Sequence, residues 1–309
     1  MRILIAGATG AIGRPLVRCL KEQRRSVFAL ARSPQASRVV AELGAEPVTA
    51  DALDAASVKA AVTLVRPDAV INELTALPRH YTAVEMKAAA ERDRKVRIEG
   101  NRNLLAAVQE TGVRRYLLQS SGFWYAPGTS LADERAQFAF DASPGIAAGA
   151  RTYAELEAAA LRTPGVELVS LRYGFFYGPG TWYLSEGDMG EQVRKRQVPV
   201  IGSGQGVWSF VHIDDAAAAT AAALECASGA YNVVDSDPTP QCLWLPAFAR
   251  AAGAPVPPHI TEQEALEAFG PDIVYYATRL RGASNEKAKE VLKFQPRRLE
   301  WLYPTQPGP

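Results

Sequence analysis

Three glycines follow the first apolar run of the chain. ILIAGATGAIGRPLV holds Gly7, Gly10 and Gly13 in the spacing G-x-x-G-x-x-G. Glycine lets a backbone turn sharply and approach a pyrophosphate, which then sits on the positive end of the following helix. The motif leaves a strand pattern and opens a helix pattern, the context such a site requires. The second apolar run ends in ALARS. Where a carboxylate would bind ribose hydroxyls, about 20 residues after the glycines, stand Arg32 and Ser33. A cation and a hydroxyl suit a 2′-phosphate, so these residues favour NADP over NAD.

These residues need a frame. Short apolar runs at 3–8, 26–31, 46–51, 68–74, 116–121 and 167–173 read as strands. Segments at 15–23, 36–43, 55–65 and 96–112 have helical spacing. Buried strands alternating with helices predict a parallel sheet covered on both faces, an α/β doubly wound fold. Beyond Tyr173 the pattern turns irregular and rich in Gly, Pro and aromatics. Residues 1–173 are expected to form the dinucleotide-binding domain. Residues 174–309 are expected to be mainly a smaller, discontinuous substrate lobe, with 205–225 returning to the first domain. The tail PTQPGP is expected to be loose.

Composition removes several function classes. The net charge of +1 gives no electrostatic case for nucleic acid or an anionic membrane. Cys19, Cys226 and Cys242 form no CxxC pair, and His80, His212 and His259 are scattered, so neither a disulfide framework nor a metal is expected. The first apolar run breaks at a glycine turn rather than a cleavage site, and the Ala-rich run at 216–224 is short of the ~20 residues of a membrane span. The expectation is a cytoplasmic monomer or homodimer acting on a small molecule.

The glycine spacing, together with GNRNLLAAVQETGVRRYLLQSS (100–121), LRYGFFYGPG (171–180) and FVHIDDAAAATAAAL (210–224), resembles the short-chain dehydrogenase/reductase superfamily in its extended and atypical branches. The resemblance covers nearly the whole chain and implies a Rossmann fold with a C-terminal substrate lobe. It also implies NADPH/NADP bound by Gly7, Thr9, Gly10, Ala11, Ile12, Gly13, Arg32, Ser33, Asp51, Leu74, Gln119 and Tyr173. Asp51 matches the family's adenine-binding Asp, or is a turn residue before a helix capped by Asp54. The family's strand-end hydroxyl falls on Ser121, with Ser120 the adjacent alternative; it would polarise a substrate carbonyl. The family's Tyr-x-x-x-Lys pair is missing from the sequence, because no lysine has a tyrosine four residues before it. Counting back from LRYGFFYGPG puts the tyrosine position on Arg151 and the lysine position on Glu155. Tyr153, two residues on, would then be turned by about 200° to the opposite helix face. The catalytic candidates are Ser121, Arg151 and Tyr153. The family's asparagine in the long helix matches Arg97, with Asn101 and Asn103 nearby.

Two further departures bear on the substrate. Trp208 stands where sugar-nucleotide enzymes of this family keep a pyrophosphate-binding arginine, and Gly174, Phe175 and Phe176 stand where they hold the sugar. The segment 123–183 carries 12 of the 26 aromatic residues. Phe123, Trp124, Tyr125, Phe175, Phe176, Trp182 and Tyr183 are candidate walls for a flat, apolar ligand. Arg194, Lys195 and Arg196 read as a solvated helix face, with phosphate binding the alternative. The expected activity is NADPH-dependent reduction of an aromatic or apolar, polyketide-like ketone. The alternatives are a sugar-nucleotide epimerase or dehydratase, and a non-catalytic NADP-binding sensor.

Overall fold

A computed structural model describes residues 1–78 and 80–303; the tail at 304–309 lies outside the described residues. The first half runs β1 (Arg2–Ala6), α1 (Gly13–Glu22), β2 (Ser26–Ala31), α2 (Pro34–Glu42), β3 (Glu46–Thr49), α3 (Ala55–Val65), β4 (Ala69–Asn72), α4 (Ala83–Thr111), β5 (Arg115–Ser121), α5 (Pro144–Arg162) and β6 (Glu167–Tyr173). There follow β7 (Phe175–Tyr177), α6 (Asp188–Arg194), β8 (Val200–Ile201), β9 (Val207–Trp208), β10 (Phe210–His212), α7 (Ile213–Ala222), β11 (Gly229–Val233), β12 (Thr239–Pro240) and α8 (Gln241–Ala251). Last come β13 (His259–Ile260), α9 (Glu262–Phe269), α10 (Pro271–Thr278) and α11 (Glu286–Leu292).

Seven strands make one parallel sheet in the order β11-β6-β5-β4-β1-β2-β3. The central strands are buried on both faces, which is why they read as continuous apolar runs. One face packs Ile3, Ile5, Leu117 and Leu171 against Leu16 and Val17 of α1 and Ala216 and Ala217 of α7. The other packs Leu4, Val70, Tyr116 and Leu118 against Val58 and Val62 of α3, Leu104 and Val108 of α4 and Leu156 of α5. A third cluster, built on Trp208, Phe210, Trp244 and Phe248, forms the core of the later residues.

Two expectations are corrected. The long helix starts at Ala83, not near residue 96. Its first half, EMKAAAERDRK, is rich in strong helix formers but has no apolar stripe, so periodicity misses what propensity favours. The Thr82 side chain caps it by accepting from the Glu85 amide. The sheet also has a seventh strand, β11, drawn from beyond the returning segment assigned at 205–225. Its outer neighbour α11 packs on it, so five residues without a clear period find their partner only in the sheet.

Candidate active site

The glycine turn sits at the C-terminal end of β1. Gly7 has φ +99°, a left-handed conformation that disfavours side chains, and a Cβ there would collide with the Glu73 carbonyl. Gly13 lies against the Gly7 carbonyl and Ala8, leaving no room for a Cβ. Gly10 closes the turn through its amide to Gly7 O at 3.0 Å. Gly10 and Ala11 are exposed, Thr9 is half-buried, and Ile12 is buried in the core, so at Ile12 only the backbone is free to serve a ligand. The N-terminus of α1 has no side-chain cap and no acid in its first turn. Its orphan amides and positive dipole end are therefore open to an anion.

The remaining candidates line the C-terminal ends of the neighbouring strands. Arg32 is exposed just past β2. Ser33 accepts from the Ala36 amide at 3.2 Å and caps α2. Asp51 accepts from the Leu53 amide at 3.0 Å and Asp54 caps α3, which is the turn alternative given above; Asp51 stays exposed. Leu74 is half-buried against Gly100, where any side chain would strike its Cδ1. Gln119 accepts from Arg97 at 3.5 Å. Tyr173 turns away, buried, with its hydroxyl 3.1 Å from Glu73 and 2.6 Å from Thr220.

The register expected for α5 is corrected. The buried face carries Ile146, Ala147, Ala150, Tyr153, Leu156, Glu157 and Ala160. Arg151 and Glu155 are exposed, and Arg151 donates to the Phe140 carbonyl at 2.7 Å. The helix is regular from Pro144, so the inward tyrosine is Tyr153 and the inward residue four further on is Glu157. The apolar spacing 146, 147, 150, 153, 156, 160 would have given this register from sequence; counting back from a distant motif across a loop did not.

Glu157 is fully engaged. Its Oε1 accepts from Ser120 at 2.7 Å, Ser170 at 2.6 Å and Arg172 Nε at 2.9 Å, and its Oε2 from Arg172 Nη2 at 2.6 Å. Burial acts to raise its pKa, but Arg172 and the two serines hold it below the usual carboxylate range. Ser120 is thereby committed to this cluster. Ser121, at the end of β5, is buried and accepts a weak bond from the Phe123 amide at 3.4 Å.

Tyr153 has a cationic neighbour, but from a different helix. Arg97 of α4 stands over its ring at 5.1 Å, held by Asp93 through Nε at 2.7 Å. Burial raises the Tyr153 pKa, Arg97 opposes the rise, and Asp93 and Glu73 add to it. Asn101 is instead bound up with Asn72 and Tyr116, and Asn103 donates to the Ala52 carbonyl at 2.9 Å. Among the described residues no group of three or more His, Cys, Asp or Glu could hold a metal ion.

An aromatic surface adjoins this end. Phe123 stacks on Phe175 at 4.1 Å, and Trp124 lies 5.6 Å from Tyr153 and donates to Tyr276 at 3.0 Å. Gly149 leaves room for Trp124, whose ring a Cβ there would strike. Phe123, Trp124, Phe175 and Tyr276 are half-buried, as is the Tyr81–Trp182 stack at 4.8 Å. Of the other expected walls, Tyr125 and Tyr183 are core and Phe176 packs against the α1-side core. Trp208 is buried, donating to the Tyr276 carbonyl at 2.9 Å. Tyr276, Glu73 and Glu157 are additions to the sequence reading. Glu73 left a signal, a carboxylate at the end of an apolar strand, and Glu157 left one in the apolar spacing of α5.

A family model for the NAD dependent epimerase/dehydratase family matches residues 3–234. The chain belongs to that family, in the extended branch of the short-chain dehydrogenase/reductase superfamily. It is 39% identical over 308 residues to a 3-diazoavenalumate denitrifying reductase from a Streptomyces species, covering 97% of this chain and 98% of that one. It is 26% identical to a 2-alkyl-3-oxoalkanoate reductase from Stenotrophomonas maltophilia, over 82% of this chain and 77% of the relative. The UDP-glucose 4-epimerase of Thermus thermophilus, solved in complex with NAD, aligns with TM-score 0.69 and 25% identity over 96% of this chain and 94% of that one. The open glycine turn and uncapped α1 terminus fit the pyrophosphate of the family's nicotinamide dinucleotide.

Proposed function

We propose that this chain is an NADPH-dependent reductase that replaces the diazonium group of an aromatic compound with hydrogen, releasing dinitrogen. The observation that carries this reading is the full-length similarity to a denitrifying reductase. When bound, the cofactor supplies a hydride. The C–N bond breaks with its electron pair leaving on dinitrogen, and a C–H bond forms from the hydride pair. The substrate gains two electrons, its positive charge is cancelled, and no proton is consumed.

The last point agrees with α5. Reduction of a ketone needs a proton for the new alkoxide, and the family lysine makes its tyrosine a better acid. Here the position four residues after Tyr153 is Glu157, with its acceptors taken by Ser120, Ser170 and Arg172. Tyr153, its pKa raised chiefly by burial, is a reluctant donor. In this reading Phe123, Trp124, Phe175 and Tyr276 receive a flat cationic ring. Tyr153 and Ser121 shape the reacting end, and the exposed Arg32, with Ser33, selects NADPH. The residues beyond Tyr173 supply most of the substrate side as a discontinuous lobe.

A second reading, ketone reduction, is supported by the hydroxyl of Ser121 at the end of β5 and by the similarity to an oxoalkanoate reductase. One experiment separates them. A benzenediazonium salt and an aryl ketone are each incubated with the protein and NADPH deuterated at nicotinamide C4. Deuterated arene with dinitrogen release, faster than in protein-free controls, is expected. Deuterated alcohol alone would establish the second reading.

A further inference from the structure

Glu73 follows the stretch DAVIN, one residue past β4, and is 3% exposed. Its Oε2 is buried without a hydrogen-bond partner among the described residues, while Oε1 lies 3.1 Å from the Tyr173 hydroxyl. That hydroxyl is 2.6 Å from Thr220 Oγ1, which is 2.7 Å from the Ala216 carbonyl. The chain accommodates two proton arrangements. With Glu73 protonated, Glu73 donates to Tyr173, Tyr173 to Thr220 and Thr220 to Ala216. With Glu73 ionised, Thr220 donates to Tyr173 and Tyr173 to the carboxylate, and the Ala216 carbonyl keeps its place in the ladder of α7. Neither state breaks the chain, so the same heavy-atom positions can hold both protonation states.

Its place in the sheet gives that freedom a use. The Gly7 turn rests on the Glu73 backbone. Tyr173, its hydrogen-bond partner, is the register partner of Ser121. β4 lies between β1 and β5. A dinucleotide with its pyrophosphate at Gly10–Gly13 and its reacting end at Ser121 must therefore cross the strand end that carries Glu73.

We propose that Glu73 is the counter-charge of the cofactor site, ionised when the bound nicotinamide is oxidised and cationic, and protonated when it is reduced and neutral. Glu73 is a positioning residue whose proton follows the redox state of the ring. Burial pushes its carboxyl up to about 8, with the Tyr173 hydrogen bond and the Arg97 charge acting the other way. The groups facing it are Tyr173 from β6, Arg97 from α4 with Asp93 beyond it, Tyr153 from α5, the Thr220 hydroxyl from α7, and the backbone of the turn before α1. The proposal holds whichever substrate is reduced, so it stands or falls apart from the denitrifying reading.

The test is binding, without turnover. Affinities for NADP⁺ and NADPH are measured by calorimetry from pH 6.5 to 9.5. The 2′-phosphate and pyrophosphate are common to both forms, so their ratio isolates the ring charge. The ratio should shift toward NADP⁺ by about tenfold as pH rises, the effect of one pK unit of differential interaction. Near pH 8, NADP⁺ should release more protons on binding than NADPH, measured in two buffers of different ionisation enthalpy. Glu73→Gln should flatten the ratio, and Glu73→Asp should restore its slope. A pH-independent ratio in the native protein overturns the proposal even if no variant folds, as does a slope that survives in Glu73→Gln.

Discussion

Arg97 of α4 lies over the ring of Tyr153 of α5 at 5.1 Å, anchored by Asp93. The positive charge beside this tyrosine therefore comes from a guanidinium on another helix and not from a residue one turn further along its own. A guanidinium keeps its proton and shares no proton relay, so the pair can orient and stabilise but is a poor acid. Tyr153→Phe is expected to keep denitrifying turnover within about threefold while lowering ketone turnover, if any is present, by the ~10²–10⁴-fold typical of a lost general acid. The check is kcat for both substrates at saturating NADPH. A loss of ~10³-fold in denitrification, the size of a lost general acid, would contradict a step that consumes no proton.

Ser121 makes a complementary prediction. A hydroxyl that stabilises an oxyanion is worth ~10²–10³-fold in kcat, but hydride replacement of dinitrogen forms no oxyanion. Ser121→Ala should leave denitrification nearly unchanged. A drop of ~10-fold or more, at unchanged NADPH affinity, would move the assignment to a carbonyl substrate.

The exposed Arg32 should discriminate the cofactors. Arg32→Ala is expected to weaken NADPH by ~10–10²-fold, the range of a hydrogen bond to a charged group, and to leave NADH almost unaffected. Equal weakening of both, measured by fluorescence titration, would remove Arg32 from the 2′-phosphate site.

Glu157 and Arg172 form a buried, fully satisfied ion pair. Removing one partner leaves an uncompensated charge, so Glu157→Ala should cost ~3–5 kcal/mol in urea unfolding. Glu157→Lys restores the Tyr-x-x-x-Lys spacing but sets a second cation beside Arg172. It should destabilise at least as much and should not create an efficient ketone reductase. A stable, active Glu157→Lys protein would contradict the structural role given to the pair.

Glu73 also ties stability to pH, and the sign follows from the direction of its shift. Its folded pKa is raised from the ordinary 4.5 to about 8, so its contribution is fully present below about pH 4.5 and is lost as pH rises through about 8. Relative to Glu73→Gln, the native protein should lose Tm between pH 5 and pH 9 by a few degrees. A parallel Tm–pH course for the two proteins would mean that folding does not raise the Glu73 pKa.

Much of this protein was legible in its residues. The glycine spacing, the six apolar runs and their alternation with helices determined a parallel sheet with a phosphate-binding turn, because burial on both faces and freedom at φ > 0 are local demands. Arg32 past β2 and Ser121 at the end of β5 were legible for the same reason, as strand ends in this topology gather on one edge. Tertiary structure decided what depends on partners distant in sequence. β11 has no period of its own and becomes a strand by pairing with β6. Tyr125, Phe176 and Tyr183 looked like pocket walls by composition, but packing against other elements took Tyr125 and Tyr183 into the core and laid Phe176 against it. The inward register of α5 was present in its apolar spacing, yet the meaning of that register was not. Only the fold brings Arg172 onto Glu157, Arg97 onto Tyr153, and Tyr173 and Thr220 onto Glu73, because a charge or a hydroxyl carries no sequence mark of the partner that will satisfy it when it is buried.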